Sequence, residues 1–248
     1  MSEEYLIKSN QEIAYNVFQM TLIGDTSKIK NPGQFMNIKI DDNYENFLRR
    51  PISISSYKEN EMTIIYKIFG TGTKKLSYKK SGDLIDILCP LGNGFTIKKN
   101  TRKSILIGGG VGVPPLLELA KQLKNNKMDF DVIIGFPSHR DVFLENEFKK
   151  FSESIVVCTI DGSYGEKGNV LEVIKNKQIS FDYYYACGPE KMLHALVKEG
   201  YIGQLSFEER MGCGFGACMG CSHKTIQSYK RICKEGPVLE SSEVYIDE

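Results

Sequence analysis

Neither sign of charge dominates this sequence: 32 Lys and Arg stand against 31 Asp and Glu, a formal net charge of +1. No global field draws it to nucleic acid or to an anionic membrane surface. Long apolar runs are missing too. No stretch reaches the ~18 residues of a spanning helix, and the acidic start MSEEYLIKSN has no secretory apolar core, so a cytoplasmic protein without a membrane span is expected. Histidine is scarce. His139, His194 and His223 are scattered with no evident triad, and His194 falls in a helical pattern and reads as structural. Internal repeats and low-complexity tracts are absent, and at 41% hydrophobic and 25% charged residues the composition is that of a globular protein. A length of 248 residues accommodates two compact domains and an appendage.

What is present changes character along the chain. Up to about residue 98, short β-branched and aromatic runs (Gln11 to Ile23, 34–40, 51–57, 62–69) are punctuated by Asn31-Pro32-Gly33, Gly70-Thr71-Gly72, Ser81-Gly82-Asp83 and Gly92-Asn93-Gly94. That rhythm predicts a small antiparallel barrel over 1–99. From about residue 100 strands alternate with helical patterns: SILIGGG precedes a helix through Val113, Leu116, Leu117, Ala120 and Leu123. Apolar runs at 131–136, 154–160 and 182–188 then alternate with helix candidates at 142–151, 169–177 and 189–199, predicting a parallel α/β domain over 100–205. Residues 206–248 have little periodicity and require a staple.

Four of the seven cysteines supply one. Cys213, Cys218, Cys221 and Cys233 follow the plant-type C-x4-C-x2-C…C spacing of a [2Fe-2S] cluster. Gly212, Gly214, Gly216 and Gly220 offer backbone able to wrap closely around inorganic sulfide. Structural zinc more often shows paired C-x2-C knuckles. A zinc-binding module without electron-transfer activity is the alternative this spacing argues against. Cys89 and Cys158 lie in apolar runs and read as buried thiols, whereas Cys187 precedes Gly188-Pro189 at a strand end, where open α/β sheets place ligands.

Gly108, Gly109, Gly110 and Gly112 lie between a strand and a helix, the context of a phosphate-binding turn, although Pro115 replaces the third glycine of the dinucleotide fingerprint. Earlier, Arg50-Pro51-Ile52-Ser53 pairs a phosphate-suited guanidinium with a hydroxyl three residues on. Ile65-Tyr66-Lys67 and Gly70-Thr71-Gly72-Thr73 add an aromatic, a cation and a second glycine turn.

In this order the pieces resemble the ferredoxin-NADP reductase-like superfamily, across essentially the whole chain. Within it, Glu209 to Cys218 (ERMGCGFGAC) is similar to the electron-transfer subunits of B-type, NAD-dependent dihydroorotate dehydrogenase. The resemblance implies an FAD site at Arg50, Pro51, Ile52, Ser53, Ile65, Tyr66, Lys67, Gly72 and Thr73, with an aliphatic Ile52 where many members carry an aromatic. It implies NAD pyrophosphate at Gly108, Gly109, Gly110 and Gly112, nicotinamide near Cys187, Gly188 and Pro189, and cluster ligation by Cys213, Cys218, Cys221 and Cys233. It further implies an FMN-containing catalytic partner that oxidises dihydroorotate in pyrimidine biosynthesis, in a heterotetramer of two plus two subunits. An NAD(P)H-ferredoxin or sulfide-dehydrogenase type reductase subunit would use the same modules. Arg140 suits a 2′-phosphate and Asp141 or Glu145 a 2′-hydroxyl, which leaves NAD against NADP open on residues alone.

Overall fold

The computed structural model describes residues 2–41 and 46–246. The first part is a closed antiparallel barrel of β1 (Glu3–Ala14), β2 (Val17–Ile23), β3 (Phe35–Ile38), β4 (Arg50–Lys58), β5 (Glu61–Lys67) and β6 (Leu84–Leu91), paired in the order β1-β2-β5-β4-β3-β6. Its interior is filled by Ile7, Met20, Leu22, Met36, Ile38, Ile54, Ile64 and Ile87. The run from Gln11 to Ile23 is not one strand. It folds back at Asn16 (φ 58°), and Asn60 (φ 56°) turns β4 into β5 in the same way, asparagine being tolerant of left-handed backbone.

A second departure concerns Gly70-Thr71-Gly72, expected as a plain turn. It opens α1 (Thr71–Ser77), whose Leu76, 1% exposed, joins the barrel core. Thr73 accepts the Phe69 N–H at 2.8 Å and so fixes the entry to that helix.

The second part is a seven-stranded sheet. Its strands are β7 (Ser104–Gly109), β8 (Phe130–Phe136), β9 (Ile155–Thr159), β10 (Glu166–Lys167), β11 (Tyr183–Cys187), β12 (Gly203–Ser206) and β15 (Val238–Glu240), in the order β10-β9-β8-β7-β11-β12-β15. All pairs are parallel except β12 with β15. The helices are α2 (Pro115–Asn125), α3 (Glu145–Phe148), α4 (Val170–Asn176) and α5 (Glu190–Lys198). The helix expected over 142–151 shrinks to α3 because Leu144 sits at φ 65° and cannot extend it backwards. Chain order runs outward from β7 through β8 and β9 and from β11 through β12, so the sheet reverses between β7 and β11. Open α/β sheets bind ligands at the carboxyl ends of such a pair.

The tail is more ordered than its aperiodic sequence suggested. It contains a hairpin of β13 (Ser222–Lys224) and β14 (Tyr229–Arg231), and then returns as β15 to the sheet, with Leu239 1% exposed opposite Leu205. Asn93, in the turn after β6, stitches this strand to the barrel. Its side chain donates to the Val238 carbonyl at 2.9 Å and accepts the Val238 N–H at 3.1 Å.

Barrel and sheet domain are joined by specific contacts. Lys67 pairs with Asp141 at 3.0 Å, the Tyr15 N–H donates to the Arg140 carbonyl at 3.0 Å, and the Arg140 guanidinium lies 4.1 Å from the Tyr15 ring centroid. On α2 the buried Glu118 accepts from the Tyr57 N–H, and Lys121 donates to the Tyr57 carbonyl.

Candidate functional site

A cleft of about 570 Å³ lies where barrel, sheet and tail meet. The barrel contributes Pro51, Ile52 and Ser53 from β4, Ile65, Tyr66 and Lys67 from β5, and Thr73 from α1; the sheet contributes Gly109, Gly110 and Gly112 and, across the reversal, Gly188 and Pro189. Segments far apart in sequence thus meet on one surface. Four expected residues do not line it. Arg50, Gly72, Gly108 and Cys187 stand behind or beside it.

Their positions have physical reasons. A Cβ on Gly72 would come within 2.5 Å of Arg50 Nε, so this glycine lets the guanidinium lie flat across the start of α1, where Arg50 also donates to Asn46 Oδ1 at 3.1 Å and to the Leu48 carbonyl. Neighbouring Arg49 is tied to Asp86 at 2.8 Å, an ion pair that, with the hydrogen bonds from Arg49, holds the Asp86 carboxyl below its usual range. Gly108 packs beneath Val113, whose Cγ2 a Cβ would meet at 2.8 Å. Cys187 is 2% exposed, and burial, reinforced by Glu208, pushes its thiol far above the ordinary range. Its backbone matters more than its sulfur: a Cβ on Gly112 would lie 2.5 Å from the Cys187 carbonyl carbon and oxygen and from Gly188 Cα.

The turn from β7 into α2 does not present a helix N-terminus in the ordinary way. Pro114 and Pro115 have no N–H, and the Leu116 and Leu117 N–H groups already donate to Val113 and Pro114 carbonyls at 3.1 Å. The backbone that faces the cleft is that of Gly110, Val111 and Gly112, with Gly110 in the left-handed region at φ 54°.

On the barrel wall, Tyr66 is 2% exposed, stacks on Phe18 at 5.8 Å and donates to Asn10 Oδ1 at 3.0 Å; it is an anchored wall, and burial raises its phenol well above the usual value. Lys67 reaches across to Asp141. Burial opposes ionisation of Asp141, but hydrogen bonds from Ser138 and Lys67 prevail and lower its carboxyl. Arg140 is stacked on Tyr15, and Glu145 is bound by Lys149 at 2.6 Å and Tyr164 at 2.7 Å. All three residues considered for the nucleotide 2′ position therefore already have protein partners.

The tail supplies lining that the sequence reading missed: Phe207, Glu208, Glu209, Met211 and Pro237. A signal existed, because 207–209 directly follow the carboxyl end of a parallel strand, β12, where ligand-facing residues collect. Glu208 opens into the cleft yet is crowded by protein, which raises its carboxyl. His223, one of three histidines with no evident triad in the sequence, meets Glu209 at 3.0 Å and packs on Phe207 at 4.7 Å. This is a carboxylate-imidazole pair joining cleft and tail rather than a triad. His139 stacks on Tyr164, and His194 lies 3.7 Å from Glu190.

The cysteines lie on one loop and the hairpin behind it. The Ala217 and Cys218 N–H groups donate to Cys213 Sγ at 3.2 and 3.4 Å, the Cys213 N–H to Cys218 Sγ at 3.4 Å, and the Cys233 N–H to Cys221 Sγ at 3.4 Å. The thiols thus fall into two linked pairs, 213 with 218 and 221 with 233. Among the described residues no three His, Cys, Asp or Glu side chains converge as one metal ion requires. Burial disfavours the Cys213 thiolate, but backbone N–H groups of Cys218, Phe215 and Ala217 outweigh it and bring the thiol down to about 6. Burial and the neighbouring Cys221 push the Cys233 thiol the other way, up to about 12. Two cysteine pairs, each with backbone N–H groups on a sulfur, suit a binuclear cluster better than a single zinc. Cys221 and Cys233 are each 2% exposed, while Cys218 is exposed. Arg231 clamps the loop by donating to the Gly216 carbonyl while paired with Glu235, whose carboxyl it pulls down to about 2. Of the remaining thiols, Cys158 is fully buried and pushed up to about 11, while Cys89 is only partly buried.

Residues 208–245 match the iron-sulfur cluster binding domain of dihydroorotate dehydrogenase B, and residues 106–198 the oxidoreductase NAD-binding domain. The chain is 46% identical to the dihydroorotate dehydrogenase B (NAD(+)) electron transfer subunit of Fusobacterium nucleatum subsp. nucleatum, over 99% of both chains. It is 43% identical to that of Bacillus pumilus, over 98% of both. Among solved structures, an NADH-dependent reduced ferredoxin-NADP oxidoreductase, described in connection with flavin-based electron bifurcation, superposes with a TM-score of 0.87 at 30% identity, covering 97% of this chain and 89% of that one.

Proposed function

The chain belongs to the family of dihydroorotate dehydrogenase B electron transfer subunits, and from that premise we propose that it is the relay between NAD and an FMN-containing subunit that oxidises dihydroorotate, in pyrimidine biosynthesis. FAD and a [2Fe-2S] cluster are its resident cofactors in this reading, and the assembly is a cytoplasmic heterotetramer of two plus two subunits. The observation that carries the proposal is the meeting of the cleft with the cysteine loop through one tail segment, Phe207 to Cys213. No helix among the described residues is long and apolar enough to cross a membrane.

The three-part division 1–99, 100–205 and 206–248 assigns FAD to the barrel, NAD to the sheet domain and the cluster to the tail. A bound flavin supplies the conversion between two-electron hydride chemistry and one-electron transfer. The residues of this chain bind and orient. Pro51, Ile52, Ile65 and Tyr66 present an apolar wall to a ring, and Ser53 a hydroxyl to its polar edge. Arg50, laid over Gly72, meets a phosphate of the flavin nucleotide in this reading, with Thr73 beside Gly72 in sequence. On the opposite wall the backbone of Gly109, Gly110 and Gly112 approaches a second pyrophosphate, while Gly188 and Pro189, on the buried shelf of Cys187, close the nicotinamide end. Lys67 and Asp141 hold the two walls at a fixed separation. Cys213, Cys218, Cys221 and Cys233 would hold the cluster, and backbone N–H groups already reach the sulfurs of Cys213, Cys218 and Cys221.

A test of cofactor assignment is direct. The anaerobically purified chain is expected to release FAD on acid denaturation, to contain two iron and two sulfide per chain, and to bleach on addition of NADH. Zinc in place of iron, or absence of flavin, would refute it. The structural likeness to the NADH-dependent ferredoxin-NADP oxidoreductase supports a second reading, a reductase subunit with a ferredoxin partner. The two readings separate by which electron donor, dihydroorotate or reduced ferredoxin, supports NAD reduction in the complete complex.

A further inference from the structure

Strand β3 alternates two faces. Met36 and Ile38 point into the barrel, while Phe35 and Asn37 point outward and are covered by the tail. Phe35 packs in one apolar cluster with Met211, Cys221, Ile232 and Cys233. Asn37, next on that face, is 0% exposed, and neither its Nδ2 nor its Oδ1 has a hydrogen-bond partner. Its backbone is firmly held: β3 pairs with β4 and β6 on either side, and Arg49, anchored on Asp86, approaches the Asn37 carbonyl at 3.4 Å. A carboxamide so placed serves no packing role that leucine would not serve better, since burying two unpaired polar atoms is unfavourable.

What it faces is the cysteine loop. Gly214 follows Cys213, has φ 80°, and brings its backbone so close that a Cβ would stand 2.4 Å from Asn37 Nδ2. Glycine at 214 therefore both permits the left-handed backbone and keeps a side chain out of the space between the amide and the loop. Cys213 is the ligand whose sulfur already collects loop N–H groups.

We infer that the Asn37 carboxamide is the hydrogen-bond donor that the flavin-binding barrel contributes to the cluster on its Cys213 side, a positioning residue that sets the cluster potential. The inference rests on the reading of Cys213, Cys218, Cys221 and Cys233 as [2Fe-2S] ligands. Donation to cluster sulfur stabilises the more negative, reduced form, so removing the donor lowers the potential.

The test is a redox titration of the holo complex followed by the electron paramagnetic resonance of the reduced cluster, in wild type and Asn37→Leu. A fall in potential equivalent to roughly a tenfold change in the oxidised-to-reduced ratio, about 59 mV for one electron, is expected, with iron content and flavin content retained. An unchanged potential in a fully loaded Asn37→Leu protein overturns the inference. Should the leucine variant fail to retain its cluster, selective ¹⁵N labelling of asparagine side chains in the wild type decides: a nitrogen hyperfine coupling to the reduced cluster, lost in Asn37→Ser, supports the contact, and no coupling overturns it. The wild-type cluster signal tests the underlying reading separately. If that signal is absent the cluster assignment falls, whereas a normal signal with an unmoved potential and no coupling removes Asn37 alone.

Discussion

Gly112→Ala is the sharpest probe of the way the two halves of the sheet meet. The added methyl would stand 2.5 Å from the Cys187 carbonyl carbon and oxygen and from Gly188 Cα, all backbone atoms that cannot rotate away. Ordinary carbon contacts begin about 1 Å further out, near 3.5 Å, so the Gly110–Gly112 turn and the Cys187-Gly188-Pro189 turn must separate by about that much. Overpacking of this size costs about 1–3 kcal/mol, or roughly 2–12 °C in melting temperature for a chain of this length. Misplacement of 1 Å at a hydride-transfer site costs about 100-fold in rate. The expected result is a large loss of NADH-driven reduction of an artificial acceptor with cluster absorbance unchanged. Gly200→Ala, just past α5 and away from the cleft, is the control: its Cβ meets nothing within 4 Å, and only the φ of 76° is strained, so a stability loss of about 1–2 kcal/mol without the kinetic defect is expected. Equal kinetic defects in the two variants, or none in Gly112→Ala, would refute the argument that the close approach at the sheet reversal organises the nucleotide site.

Other perturbations read other parts. Cys213→Ser is expected to abolish the cluster spectrum while FAD stays bound, because the ligands are local to the tail; loss of flavin as well would contradict that independence. Arg50→Ala removes the proposed charge-assisted contact to a flavin phosphate, worth about 1.5–3 kcal/mol, so flavin retention measured by dilution should weaken by about 10- to 150-fold. Leu239→Ala leaves a cavity on the antiparallel strand that ties the tail to the sheet and should cost about 2–5 kcal/mol in denaturant unfolding; a change within error would mean that β15 is not an anchor. Asp141 has a carboxyl held low in the folded protein, so its contribution is present above the unfolded carboxylate pKa and is lost as pH falls through the folded value. Asp141→Asn should therefore flatten the acid side of the stability profile, and an identical slope below pH 4 would remove Asp141 and Lys67 as a strut.

The parts of the site legible in the sequence were those governed by local chemistry. Cysteine spacing in RMGCGFGACMGC is a ligand geometry in itself, and a glycine turn after SILI marks the carboxyl end of a strand whatever surrounds it. Alternating short runs announced the barrel because closure depends on strand length and turns. What stayed hidden depended on long-range partners. β15 is three residues long and is a strand only because β12 offers an edge and Asn93 ties down Val238. The glycine turn at 70–72 opens a helix because Leu76 has a barrel core to enter. The lining by Phe207, Glu208 and Glu209, and the burial of Asn37, arise where the tail folds back over the barrel, a contact without period or motif.

The central claim is that this chain connects dihydroorotate oxidation to NAD. The most direct measurement is the rate of NAD reduction by the anaerobically prepared complex of this chain with the FMN-containing subunit proposed as its partner, given dihydroorotate as sole electron donor. The account predicts NADH formation that requires both proteins and saturates as this chain is titrated into the partner. A complex shown to contain flavin and cluster that forms no NADH from dihydroorotate would contradict it.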